Sequence, residues 1–114
     1  MRHRRKRSWP SAVLAASALS LALLSGGRAP AATPPHIDIE EFRYAPPLVT
    51  IAPGTTVTWT NHDEETHTVT AAGGTFASAG LESGESFAQT FATPGTYTYF
   101  CSLHPYMRAT VVVE

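Results

Sequence analysis

The chain has 114 residues, 43% hydrophobic and 15% charged, with a single Cys; that length and balance fit one domain, and one thiol excludes an internal disulfide. Its charge is uneven: Arg2, Arg4, Arg5, Lys6, Arg7 and Arg28 crowd the start, so beyond residue 31 only Arg43 and Arg108 stand against all nine Asp and Glu, a net charge of −7. An acidic domain of this kind excludes nucleic acid as a partner, because phosphates need a basic face, and suits a partner with positive charge around its docking site.

The basic head is followed by an apolar run from Ala12 to Leu24, then Ser25-Gly26-Gly27 and Ala29-Pro30-Ala31. That order reads as a secretory signal peptide over residues 1–31, cut after Ala31 or Ala32. The apolar run is too short for a comfortable membrane span, so no stable insertion is expected after cleavage. Arg4-Arg5 leads into Lys6, Arg7 and Ser8 instead of an apolar approach, which fits general secretion better than a twin-arginine route. With no Cys near the cut, a lipoprotein is excluded, and the expected location is the periplasm or the exterior. Removing 31 of 114 residues leaves an 83-residue domain, 32–114, close to the lower limit for a core without help from disulfides or metal.

Within that domain, Ala31 to Pro35 is a Pro-rich lead-in expected to be mobile. Ile37 and Ile39 alternate with Asp38 and Glu40, the period of a strand with one buried face. Leu48 to Ile51 follows the Pro46-Pro47 break as a second strand, Pro53-Gly54 turns, and Thr56 to Thr60 places Val57 and Trp59 on one face. His67 to Thr70 reads as a fourth strand. Residues 71–84, rich in Gly, read as loop with a short strand at Phe76. Ser86 to Phe91, Thr96 to Cys101 after the Pro94-Gly95 turn, and Arg108 to Val113 complete seven to eight short strands with no helical periodicity. The expected fold is all-β, an antiparallel β-sandwich. In Thr96 to Cys101 the odd positions share a face, so an inward Cys101 makes Tyr97 and Tyr99 core and turns Phe100 outward.

The chemistry concentrates at the end of the chain. Cys101, His104 and Met107 stand at i, i+3 and i+6 directly after a strand. Thiolate and thioether are soft ligands and imidazole is intermediate; two strong ligands and one weak sulfur on a tight loop suit trigonal copper with a long axial Met. A second imidazole must come from elsewhere. His67 abuts apolar Val69 at a strand start, whereas His62 lies among acids in Asn61-His-Asp-Glu-Glu-Thr66, and His36 sits beside Pro35 at the mobile start. The expected ligands are therefore His67, Cys101, His104 and Met107, with Asp63-Glu64-Glu65 a solvated loop. A free thiol would be a liability in an oxidising compartment, and ligation removes it.

"PGTYTYFCSLHPYMRATVVVE", together with "TIAPGTTVTWTN" and "HTV" upstream, resembles the small blue copper proteins, the cupredoxins, and by loop length the amicyanins. The resemblance covers nearly everything after Ile37. It implies a Greek-key sandwich, one type 1 copper cycling between Cu(II) and Cu(I), and a monomeric one-electron carrier rather than an enzyme. It also implies an apolar docking rim of Pro105, Tyr106 and Phe100 around His104, the residue expected to carry the electron, and redox partners such as a c-type cytochrome, a dehydrogenase or an oxidase. Thr68 stands where well-known members have Asn, a position that ties the two ligand loops together and aims its N–H at the Cys sulfur; Ala109 stands where many have Gly. A multicopper oxidase or nitrite reductase would need further His ligands beside Cys101, where Phe100 and Ser102 stand. A copper-free adhesive sandwich would have no use for all four ligands. A periplasmic copper carrier or metallochaperone could retain all four, but would favour exposed Met-rich or His-rich sets, and Met107 is the one Met after the leader.

Overall fold

The computed structural model describes residues 33–114; the leader expected at 1–31 lies outside them. Among the described residues there are eight strands in two four-stranded sheets, the longer ones following the alternation of apolar and polar residues. One holds β1 (His36–Glu40), β2 (Arg43–Ala45), β4 (Thr55–Asn61) and β6 (Ser86–Phe91) in the order β2-β1-β4-β6. The other holds β3 (Leu48–Ile51), β5 (Thr70–Ala71), β7 (Gly95–Phe100) and β8 (Arg108–Val113) in the order β3-β8-β7-β5. Ile37, Ile39, Val57, Trp59, Tyr99, Val111 and Val113 fill the space between them. Trp59 is fully buried and meets Phe76, Phe87, Phe91 and Tyr99; burying an aromatic ring contributes about 2–3 kcal/mol, so it anchors one sheet on the other.

The sandwich is as expected, but two of its pairings are parallel: β1 with β4 and β3 with β8. Periodicity fixes which face of a strand is buried, not its neighbour's direction. Because the chain leaves the first sheet for β3 before returning as β4, β4 comes back alongside β1 with the same sense. Three local readings also change. Arg43–Ala45 is a strand that three residues cannot advertise by alternation. The segment His67–Thr70 is regular only from Thr70; His67 forms an isolated bridge with Leu81 instead. Phe76 is buried but lies in no strand, and its neighbour Ala77 bridges Thr70. Tyr99 is core as expected, whereas Tyr97 is half-buried on Phe91. His36, assigned to a mobile start, is the first residue of β1.

Candidate metal centre

Three connections at one end of the sandwich converge. The β7–β8 connection is folded by two successive three-residue turns: the His104 N–H donates to Cys101 O (3.2 Å) and the Met107 N–H to His104 O (2.9 Å). Near three residues per turn, side chains at i and i+3 stack on one side. The spacing of Cys101, His104 and Met107 thus becomes a shared direction, and the Cys101 N–H closes the loop on Met107 O at 3.1 Å. Cys101 and Met107 are buried, while His104 is half-buried.

His67 reaches the same point from the connection after β4. Asn61, fully buried at the end of β4, donates through its side-chain amide to Glu65 O and Leu81 O, each at 2.8 Å, and accepts from the Asp63 N–H. These bonds coil residues 61–67 so that His67 enters the interior. Its Nδ1 lies 3.2 Å from His104 Nδ1 and 3.8 Å from Cys101 Sγ, and His104 Nδ1 lies 3.6 Å from that sulfur. A point in the plane of this triangle equidistant from its corners is about 2 Å from each, a metal–ligand distance for nitrogen and sulfur donors. The donor set and spacing fit one copper ion, with two imidazoles, one thiol able to ionise and a buried thioether next in the loop.

Thr68 ties the two ligand-bearing loops together. Its backbone N–H points at Cys101 Sγ (3.3 Å), its Oγ1 accepts the Ser102 N–H at 2.8 Å, and that hydroxyl also meets those of Thr70 and Ser102. Its carbonyl accepts from the Tyr44 hydroxyl. Ala109, buried in β8 opposite Tyr99, fits its inward position without disturbing the β7–β8 ladder.

Two participants escaped sequence reasoning. Asp63, read as part of a solvated loop, has a side chain only 14% exposed and accepts the Nε2–H of His67 at 2.8 Å. That bond leaves the other nitrogen, Nδ1, with its lone pair facing the cluster. The same carboxylate accepts the N–H groups of Glu41 (2.8 Å) and Phe42 (2.9 Å). Burial pushes the Asp63 carboxyl up, but the Phe42 N–H, the His67 imidazole and the Glu41 N–H together outweigh it and hold the group below its ordinary value. Glu41 and Phe42 form the two-residue turn between β1 and β2 with φ of 53° and 57°, a left-handed geometry that normally selects Asn or Gly. It sets the Phe42 ring edge-on to both imidazoles, 4.9 Å from His67 and 5.0 Å from His104. Asp63 is legible only as a carboxylate four residues before a candidate ligand; nothing local marks Phe42.

The outer rim is apolar. Tyr106 is 71% exposed with its ring 6.2 Å from that of His104, Leu103 is 55% exposed, and Pro105 lies between them on the surface. Phe100 is half-buried beneath the Arg108 guanidinium, which lies 5.6 Å from its ring centre while Arg108 Nε donates to Pro105 O. His62 is outside the cluster, bonded to Asp38 on the far side of β1.

Comparison with known proteins agrees with this geometry. Residues 32–114 match the family model described as copper binding proteins, plastocyanin/azurin family. The amicyanin-alpha of Methylorubrum extorquens is 34% identical over 114 residues, covering 91% of this chain and 95% of that protein. The amicyanin of Paracoccus denitrificans is 36% identical over 83 residues, 68% of this chain and 63% of its own length. Among solved structures, amicyanin from Paracoccus versutus superposes with a TM-score of 0.66 at 36% identity, covering 73% of this chain and 83% of that one. A copper-containing nitrite reductase from Thermus scotoductus superposes at 0.67 and 28% identity, but over 72% of this chain and only 22% of the enzyme's. The likeness to that enzyme takes in only 22% of its chain, whereas the amicyanin-alpha is matched over 95% of its length and the family model spans residues 32–114, and the chain belongs to the copper-binding plastocyanin/azurin family as an amicyanin-like cupredoxin.

Proposed function

We propose that a single type 1 copper would be held by His67 Nδ1, Cys101 Sγ and His104 Nδ1, with Met107 as a weak fourth ligand, and that the domain shuttles single electrons between redox proteins in the periplasm. The observation that supports this most is the triangle of donor atoms with sides of 3.2, 3.6 and 3.8 Å. Bound copper supplies a Cu(II)/Cu(I) couple, and the chain's residues do the rest. Cys101 binds as thiolate, its sulfur receiving the Thr68 N–H. Asp63 fixes the tautomer of His67, and Phe42 covers the inner edges of both imidazoles against water. His104 leads outward, and Leu103, Pro105 and Tyr106 around it let a partner approach without stripping water from charges.

The chain is a copper electron carrier and not an enzyme. The partner is a c-type cytochrome, dehydrogenase or oxidase with a basic docking face, facing the exposed Glu41, Glu64 and Glu65 near the centre. Export rests on the leader over residues 1–31, with the domain beginning at residue 32. A handing-on role for copper would need ligands open to exchange, whereas His67, Cys101 and Met107 are buried.

Copper loading tests the assignment. The Cu(II) protein is intensely blue and bleaches on reduction; Cys101→Ala abolishes the band and His62→Ala leaves it. Loss of colour in His62→Ala with retention in His67→Ala would overturn the ligand set.

A further inference from the structure

A second group of metal-binding side chains lies outside the copper centre, on the outer face of the β2-β1-β4-β6 sheet. Ile37 and Ile39 point into the core, so His36 and Asp38 share the opposite face of β1. β4 runs parallel beside it with Val57, Trp59 and Asn61 inward, which turns His62, the next residue, onto that same outer face. The His62 backbone N–H donates to Ile39 O at 2.8 Å, so the third side chain is tied to the strand that carries the other two. Both imidazoles converge on one oxygen: Asp38 Oδ1 lies 2.8 Å from His62 Nε2 and 3.4 Å from His36 Nε2. The three candidate ligand atoms all fall within 4.8 Å of one another.

We propose that His36, Asp38 and His62 form a second metal site, for a first-row divalent cation of the zinc, nickel or copper(II) type. Two imidazoles and one carboxylate match the borderline character of these ions better than the oxygen-rich shells of calcium or magnesium, and the absence of sulfur from the set disfavours Cu(I). Binding exchanges the His62 Nε2–Asp38 Oδ1 hydrogen bond, and the longer His36 Nε2–Asp38 Oδ1 contact, for Nε2–metal bonds, a proton carried on Nε2 moving to Nδ1 by way of solvent. Side chains 45–49% exposed leave the cation reachable, and three protein ligands leave a position for water or an outside donor. A bound dication also places positive charge on a domain of net charge −7 after its leader, reducing the long-range attraction for a basic partner.

The test uses the copper-loaded protein, reduced to diamagnetic Cu(I) so that the thiolate site is occupied, and zinc alone as the probe. Equilibrium dialysis should retain one zinc per chain. On zinc addition the ring C–H resonances of His36 and His62 should shift while those of His67 and His104 stay. His36→Ala, His62→Ala and Asp38→Asn should each weaken zinc binding about tenfold or more, with the blue band of the reoxidised protein reporting that each variant is folded. No zinc retained beyond the copper, equal retention in all three variants, or shifts confined to other histidines would overturn the site. Absence of the blue band in the parent protein would instead count against the copper assignment, since the zinc-induced shifts of His36 and His62 do not depend on it.

Discussion

Replacing Asp63 tests whether one carboxylate organises the centre from behind. It accepts three hydrogen bonds, from His67 Nε2, Glu41 N and Phe42 N, at 2.8–2.9 Å, with a side chain only 14% exposed. A hydrogen bond to a charged group contributes about 1.5–3 kcal/mol, but the two turn donors regain water when released. The turn itself stores about 1–2 kcal/mol per left-handed residue, which Asp63 holds in place. Asp63→Ala should therefore destabilise the domain by about 3 kcal/mol. Asp63→Asn, which offers one acceptor oxygen to three donors and turns an N–H₂ toward the rest, should cost about 2 kcal/mol. Loss of a partner behind a metal-bound His lowers metal affinity about 10–100-fold. Cu(II) depends on a basic imidazole more than Cu(I), so the reduction potential should rise, by about 59 mV for each tenfold of differential loss. Guanidinium unfolding monitored by Trp fluorescence, with spectroelectrochemistry of the blue band, measures both effects. Stability within about 0.5 kcal/mol of the parent together with an unchanged potential would refute the reasoning.

The Thr68 hydroxyl joins the ligand loops through Ser102 N, so Thr68→Ala should lower stability by about 1–2 kcal/mol in chemical denaturation while Thr68→Ser restores it; the N–H aimed at Cys101 Sγ belongs to the backbone, and the blue band should survive both changes. Electron transfer to a basic partner should slow as ionic strength rises, measured by stopped flow, because the net charge of −7 on residues 32–114 steers the encounter only while unscreened. Burial raises the phenol pKa of Tyr44 and of Tyr99 far above the ordinary 10.0, so each stays neutral in the fold while the unfolded chain ionises. Their contribution is therefore complete below pH 10.0 and lost as pH rises beyond it. Denaturant midpoints should hold below that value and fall above it, the fall shrinking in Tyr44→Phe.

What the chain discloses locally, it discloses well. Cys101, His104 and Met107 are legible because three-residue spacing after a strand becomes a common direction as soon as the turns form. Ile37/Ile39 and Val57/Trp59 declare their buried faces by alternation. Contacts between distant segments are another matter. Asp63 meets Glu41 and Phe42 across 22 and 21 residues, and in sequence it is one acid among three in a loop. Phe42 follows two acids in a hairpin turn that lacks the residues such a turn usually selects. The parallel partners of β1 and β3 are set by the order in which the chain changes sheets, which no window of alternation encodes. Apolar Val69 marks His67 in the sequence, yet what places it is the side chain of Asn61, whose bonds to Glu65 O and Leu81 O shape the approach.

These long-range contacts explain how a small domain without disulfides holds a rigid centre. The cluster sits where both sheets contribute: β1 and β2 supply the Phe42 turn, β4 leads through Asn61 to His67, and β7 and β8 grip the Cys101–Met107 loop from both ends. Each donor is positioned by bonds within the protein, His67 by Asp63, Cys101 by Thr68 and His104 by the paired turns of its loop. Cu(II) and Cu(I) prefer different surroundings, and a site that relaxed toward each in turn would have to rearrange at every transfer. Here rearrangement would break the Asp63 fork, the Thr68 tie or the β7–β8 ladder, each costing more than the thermal energy of about 0.6 kcal/mol. The donors are therefore held in one geometry by bonds within the protein itself. The partly exposed edge of His104 is the least enclosed part of the centre, opening to the surface beside Tyr106.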